Sequence, residues 1–308
     1  MFFGSGDFAV PILEALAEAP ETEIVAVVTA PNRPAGRGQA TREAPVAVKA
    51  RRLGLRVIQP GRVRSPESIE AIVGLAPTLG VLADYGQLIP AALLDVMPAG
   101  ILNVHPSLLP RHRGASPVAA AILAGDRETG VSIFRMDEGL DTGPLVSTER
   151  VGLTGTENAP ELEAALAGVG AELLRRTLGP WLGDQVRTRP QDDASATLTR
   201  PLKRDDGRLD PTRSAAALER QVRAYQPWPG SYLEVPTRLV VWDAEVAPSE
   251  RADTPGALVQ SGNEPALATA DGRLRLVEVQ PGGGRRMSGA AWLRGRPQLT
   301  ASARPTNG

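Results

Sequence analysis

The chain contains no cysteine and only two histidines. The first absence excludes disulfides, thiolate nucleophiles and cysteine-ligated zinc. The second leaves too few imidazoles for a histidine-built zinc site, so no metal is expected. Lysine is almost missing as well: Lys49 and Lys203 stand alone among 34 basic residues, which reads as a compositional habit rather than a functional choice. No uninterrupted apolar run approaches the roughly 20 residues that span a bilayer. The opening Met1-Phe2-Phe3-Gly4-Ser5-Gly6 has neither a basic segment nor a sustained apolar stretch behind it. A soluble, cytoplasmic protein that meets no membrane is the expectation.

What is present fits an ordinary globular chain of more than one domain. With 308 residues, 42% hydrophobic and 22% charged, there is enough length for two cores. Charge is divided unevenly: residues 1–185 hold 16 basic against 21 acidic side chains, and 186–308 hold 18 against 14. The second part is thus net positive, which permits a polyanionic partner without demanding one.

Short apolar runs at 24–29, 55–58, 79–83 and 101–105 alternate with helical patterns such as 10–19 and 44–53. This is the pattern of βαβ units and an α/β, Rossmann-like parallel sheet. Such sheets bind ligands beyond the carboxyl ends of their strands. The glycines at 4 and 6 read as a plain strand-to-helix turn, because the third glycine of a dinucleotide fingerprint is missing. A strand over 144–151 and a helix over 159–178 follow. Residues 183–202, with Pro190-Gln191-Asp192-Asp193-Ala194-Ser195 at their centre, have linker composition. Beyond them a short helix near 214–224 and strands near 239–246, 257–260, 266–269 and 274–280 predict a small β-barrel domain. The expected division is therefore 1–182, a linker at 183–202, and 203–308.

Chemistry concentrates in Asn103-Val104-His105-Pro106-Ser107-Leu108-Leu109-Pro110 and, some thirty residues later, Gly139-Leu140-Asp141-Thr142-Gly143. On a strand, Asn103 and His105 share one face. Two polar groups at a buried strand end need partners, and a purely structural hydrogen-bonded pair is one reading. Pro106 holds His105 extended. His112, between Arg111 and Arg113, reads as a solvated loop residue, and Asp141 taken singly as a turn cap. Together, an amide, an imidazole and a carboxylate suit acyl transfer to an amine without a covalent intermediate. Ser107 as a hydrolase nucleophile is the rival, although no Gly-x-Ser-x-Gly elbow surrounds it.

These two motifs, with Arg113-Gly114, resemble the signature of the 10-formyltetrahydrofolate-dependent formyltransferases. Within that family, Gly6-Asp7-Phe8-Ala9-Val10-Pro11, the loop Asn32-Arg33-Pro34-Ala35-Gly36-Arg37-Gly38 and Tyr225-Gln226-Pro227-Trp228-Pro229 resemble the branch acting on initiator methionyl-tRNA. The resemblance implies a Rossmann-like formyl-transfer domain followed by an OB-like tRNA-binding domain, and a monomer. It implies Asn103, His105 and Asp141 as the catalytic trio and 10-formyltetrahydrofolate as co-substrate. It further implies that Tyr85, Gly86, Ser107, Leu108, Leu109, Pro110, Gly139 and Leu140 frame the folate. Arg33 and Arg37 correspond to the insertion that engages the tRNA acceptor end. Three positions depart from the family pattern: Asp84, where a small residue is usual, and Pro201 and Pro211, where lysine and tryptophan are frequent. If that lysine serves tRNA in relatives, Lys203 or Arg204 substitutes here. The same chemistry on a nucleotide-linked amino sugar, hydrolysis of the formyl folate, and tRNA binding without catalysis are the alternatives.

Overall fold

The computed structural model describes residues 1–35, 40–235, 237–251 and 253–296. They form two compact units: 1–117, 127–153 and 161–200 make the first, while 118–126, 154–160 and the chain from Pro201 make the second. The first is built on β1 (Phe2–Gly4), β2 (Val27–Val28), β3 (Arg33–Ala35), β4 (Ala40–Arg42), β5 (Val57–Ile58), β6 (Gly80–Ala83), β7 (Ile101–His105), β8 (Arg113–Gly114), β9 (Glu128–Arg135), β10 (Leu145–Gly152) and β11 (Leu198–Thr199).

Seven of these make one sheet in the order β10-β9-β7-β6-β1-β2-β5. The stretch from β7 to β5 is parallel throughout. Its strands are short and apolar because helices cover both faces: Phe2, Phe3, Val27, Val28, Val81 and Ala83 are fully buried. Helix α1 (Ala9–Glu18) follows β1 and buries Ala9, Ile12, Leu13, Ala15 and Leu16, the stripe a 3.6-residue period creates. The expected parallel sheet is therefore present, with an addition: β9 runs antiparallel to β7, and β10 antiparallel to β9. β7 thus has a neighbour on each side, and its five residues are all buried.

The second unit carries β12 (Ser231–Glu234), β13 (Arg238–Ala247), β14 (Leu258–Ser261), β15 (Glu264–Ala268), β16 (Arg273–Pro281) and β17 (Met287–Ser288). They form an antiparallel sheet, β12-β13-β16-β15-β14, with β17 on β16. Leu218 and Val222 of the helix Ala215–Ala224 pack with Leu239, Val241, Leu274, Leu276, Val279 and Trp292. Ser214 starts that helix by accepting a hydrogen bond from the Ala217 N–H at 3.2 Å.

Residues 183–200, the greater part of the expected 183–202 linker, are bonded into the first unit. The backbones of Leu145 and Arg189 exchange two hydrogen bonds of 2.7 and 2.8 Å, and β11 pairs with β8. The stretch lacks periodicity because side chain to backbone bonds, rather than a long ladder, satisfy its polar groups. Among the described residues no helix is long and apolar enough to cross a membrane.

Candidate active site

Period-2 geometry on β7 brings Asn103 and His105 to one face, as the sequence indicates, and both are buried, at 7% and 6% exposure. The loop after β9 returns Asp141 to them. Asn103 Nδ2 donates to Asp141 Oδ1 at 3.4 Å, and His105 Nδ1 lies 3.7 Å from Asp141 Oδ2. Oδ2 also accepts the Gly114 N–H at 2.7 Å. Asp141 is itself left-handed, φ 54°, a conformation aspartate tolerates better than most residues. Gly143 closes this loop against β9, since a Cβ there would lie 1.9 Å from the Arg135 carbonyl oxygen.

His105 Nε2 is 3.0 Å from the carbonyl of His112. A carbonyl only accepts, so Nε2 carries a proton, and Nδ1 is the ring nitrogen turned toward Asp141. This corrects the reading of His112 as a solvated loop residue. It is 8% exposed with φ 58°, and its N–H donates to Thr197 Oγ1 at 2.8 Å. Its backbone, held in this bend, sets the tautomer of His105.

Ser107 is wholly buried, and its Oγ donates to the Arg111 carbonyl at 2.7 Å. Its own carbonyl accepts from Ser132 Oγ, which in turn accepts the Leu109 N–H. That hydroxyl is a brace for the loop 106–111 and does not lie open as a nucleophile. Leu108, Leu109 and Pro110 follow it directly beyond the end of β7. Gly139 and Leu140 are exposed just before Asp141, where Asp137 Oδ1 accepts from the Gly139 N–H and the Thr142 hydroxyl.

Tyr85 turns its ring inward, 3% exposed and edge-on to Phe3 with centroids 5.7 Å apart. Its carbonyl accepts from Ser5 Oγ at 3.3 Å, and Gly86 follows at φ 78°. Asp84 stands where the turn before α1 opens: its carboxylate accepts from the Gly6 N–H, and burial with the nearby charges of Glu163 and Asp7 pushes its pKa up to about 6. The chain's own carboxylate thus occupies that turn.

Of the remaining expected residues, Arg37 and the side chain of Arg33 lie outside what is described. Lys203 and Arg204 are exposed in the second unit. Among the described residues no group of three or more histidine, aspartate or glutamate side chains is placed to hold a metal. Sequence reasoning missed Gln191, whose Nε2 donates to the carbonyls of Asp141 and Gly143 at 2.9 and 2.7 Å. It also missed a pocket of about 290 Å3 lined by Arg62, Arg64, Gln87 and Leu88, although two arginines just before Pro66 were visible.

Residues 1–178 match the formyl transferase family and residues 201–297 its C-terminal domain. The chain belongs to the formyl transferase family. This formyl transferase is 44% identical over 305 residues to the methionyl-tRNA formyltransferase of Chloroflexus aggregans, covering 97% of this chain and 98% of that one. It is 45% identical over 295 residues to that of Thermus thermophilus, covering 96% and 95%. Its fold is similar to an N-formyltransferase from Helicobacter canadensis solved with folinic acid and dTDP-3-aminofucose, with a TM-score of 0.66 at 14% identity over 93% and 98% of the chains. It is also similar to HypX from Aquifex aeolicus solved with tetrahydrofolic acid, with a TM-score of 0.57 at 17% identity over 80% and 43%.

Proposed function

We propose that this formyl transferase moves the formyl group of 10-formyltetrahydrofolate to the amino group of methionine on initiator methionyl-tRNA, for translation initiation. The observation that carries the chemistry is the convergence of Asn103, His105 and Asp141 at one buried strand end. The choice of acceptor rests on relatives of that name aligned over nearly the whole chain.

In this reading the amine attacks the formyl carbon and the carbonyl oxygen becomes an oxyanion. Asn103 Nδ2 has one hydrogen beyond the one it gives Asp141, and donates it to that oxygen. The Nδ1 lone pair of His105 takes the proton the amine loses, and Asp141 offsets the imidazolium charge so formed. The same proton passes to N10 of the folate as the carbon–nitrogen bond breaks, so the ring returns to its neutral state.

The folate lies over the backbone at Tyr85 and Gly86, against Ser107, Leu108, Leu109 and Pro110, with Gly139 and Leu140 opposite. Arg62 and Arg64, next to Gln87 and Leu88 in the pocket, offer charge to its glutamate carboxylates. Arg33, Arg37, Lys203 and Arg204 contact tRNA phosphates or unpaired bases. The protein works as a cytoplasmic monomer without a metal.

The test is incubation with 10-formyltetrahydrofolate and charged initiator tRNA, a nucleotide-linked amino sugar, or no acceptor. Formyl-methionine on tRNA is expected. Formylation of the sugar alone, or formate released without an acceptor, overturns the assignment. Asn103→Ala and His105→Ala are expected to lower kcat by at least about a hundredfold with the fold intact; near-normal turnover in either removes that residue from the trio.

A further inference from the structure

Asp141 is gripped at two ends by different parts of the first unit. Its carboxylate accepts from the Gly114 N–H, and its carbonyl accepts from Gln191. Gln191 belongs to the stretch whose composition reads as a linker, 50 residues away in the chain. Its amide is saturated. The two hydrogens of Nε2 go to the carbonyls of Asp141 and Gly143, and Oε1 accepts from Arg113 Nε at 3.0 Å and Nη2 at 2.8 Å. Arginine only donates, so Oε1 must face it and the amide cannot turn over. Arg113 is fixed in turn: 5% exposed, it also reaches Asp193 Oδ1 at 2.7 Å.

We propose that Gln191, held by Arg113, is a positioning residue for the formyl-transfer reaction, acting through the carbonyls of Asp141 and Gly143 to keep the Asp141 carboxylate opposite His105. The inference rests on the catalytic role given to Asp141 above. Asp141 occupies a left-handed conformation that costs free energy in a residue with a side chain. The hydrogen bonds to its own carbonyl and to that of Gly143 keep the turn in that state. Gln191 touches no reacting atom, so its loss displaces the carboxylate without removing it. A displacement of about 1 Å in a reacting constellation costs up to about a hundredfold in rate.

Gln191→Met keeps the length and neutrality of the side chain and removes all four hydrogen bonds. Steady-state kinetics of the full chain with formyl folate and charged tRNA should show kcat reduced about ten- to a hundredfold and KM for both substrates within about twofold. Combined with Asp141→Asn, the same change should slow the enzyme no further, because its effect runs through the lost carboxylate. Independently of turnover, the Gly114 N–H, which donates to Asp141 Oδ2, should exchange with solvent faster in Gln191→Met than in wild type, because its acceptor is displaced. Arg113→Lys, which keeps charge and gives up the fork, provides a second variant should Gln191→Met fold poorly, with the same directions expected. Additive losses in the double variant, or an unchanged Gly114 exchange rate in a folded variant, overturn the proposal. A wild-type protein that formylates no acceptor overturns the functional reading instead, and leaves the Gly114 exchange rate to decide the role of Gln191.

Discussion

Asp84 shows how one residue's surroundings set its charge. Its φ of 43° is left-handed, which aspartate and asparagine accept more readily than most residues. Burial, with the nearby charges of Glu163 and Asp7, outweighs the hydrogen bond from the Gly6 N–H and raises its pKa to about 6. An acid raised in the folded state binds protons there more tightly than in the unfolded chain. Its ionisation therefore weakens the fold as pH rises between about 4 and 6. Asp84→Asn keeps the backbone preference and a carbonyl for Gly6 while removing the charge. It should stabilise the protein at pH 7.5 by about 0.5 to 1 kcal/mol, the figure being trimmed because part of the side chain meets solvent, and should add nothing at pH 4. Thermal midpoints at both pH values check this; an equal shift at both assigns the effect to packing. The sequence marked Asp84 as a departure. What made it a departure, an amide turn ready for a carboxylate, appears only when 6 and 84 are brought together.

At the scale of elements, β7 was legible because alternation along five residues already places Asn103 and His105 together. β9 was not read, although Val131, Ile133 and Phe134 are buried, because its polar and apolar residues mix without clean alternation. The link between β8 and β11 was hidden more deeply, since two two-residue strands have no period to detect. Yet this link matters to the site: Gly114, in β8, gives its N–H to Asp141. It has φ 103°, and a Cβ there would stand 2.3 Å from the Thr199 carbonyl oxygen, so alanine meets both strain and a backbone clash. Gly114→Ala should cost about 2 to 4 kcal/mol and lower kcat along with stability. The Arg113 N–H, bonded to Thr197 O at 2.9 Å, should exchange with solvent faster than in wild type. Unchanged exchange there would mean that the two strands accommodate the methyl group without parting.

For the molecule as a whole, the change from helical and parallel-strand patterns to short turn-bounded strands announced a second unit of different construction, since local pattern follows the architecture that must bury it. The residues that secure that unit were not announced, because an arginine at the edge of a strand looks the same exposed or buried. Arg273 begins β16 at 5% exposure. Its Nε and Nη2 bind both oxygens of Asp253, at 2.7 and 2.6 Å, and Nη1 binds Glu250 at 2.5 Å. Those hydrogen bonds hold the Asp253 carboxyl below its usual range, and they tie the segment after β13 to the start of β16. Removing the arginine strands a carboxylate among buried neighbours, which is typically worse than never having had the pair. Arg273→Met should therefore destabilise the protein by about 3 kcal/mol at neutral pH, and Arg273→Met with Asp253→Leu by clearly less. A group whose folded pKa is depressed supports the fold above its unfolded pKa and loses that support as pH falls through the folded value, so the gap between wild type and Arg273→Met should narrow in acid. Denaturant midpoints at neutral and acidic pH measure both effects. Formyl transfer at low temperature should survive, because Arg273 lies in none of the contacts assigned to folate or tRNA. A midpoint unchanged by Arg273→Met would show that the carboxylates are held by solvent and not by the arginine.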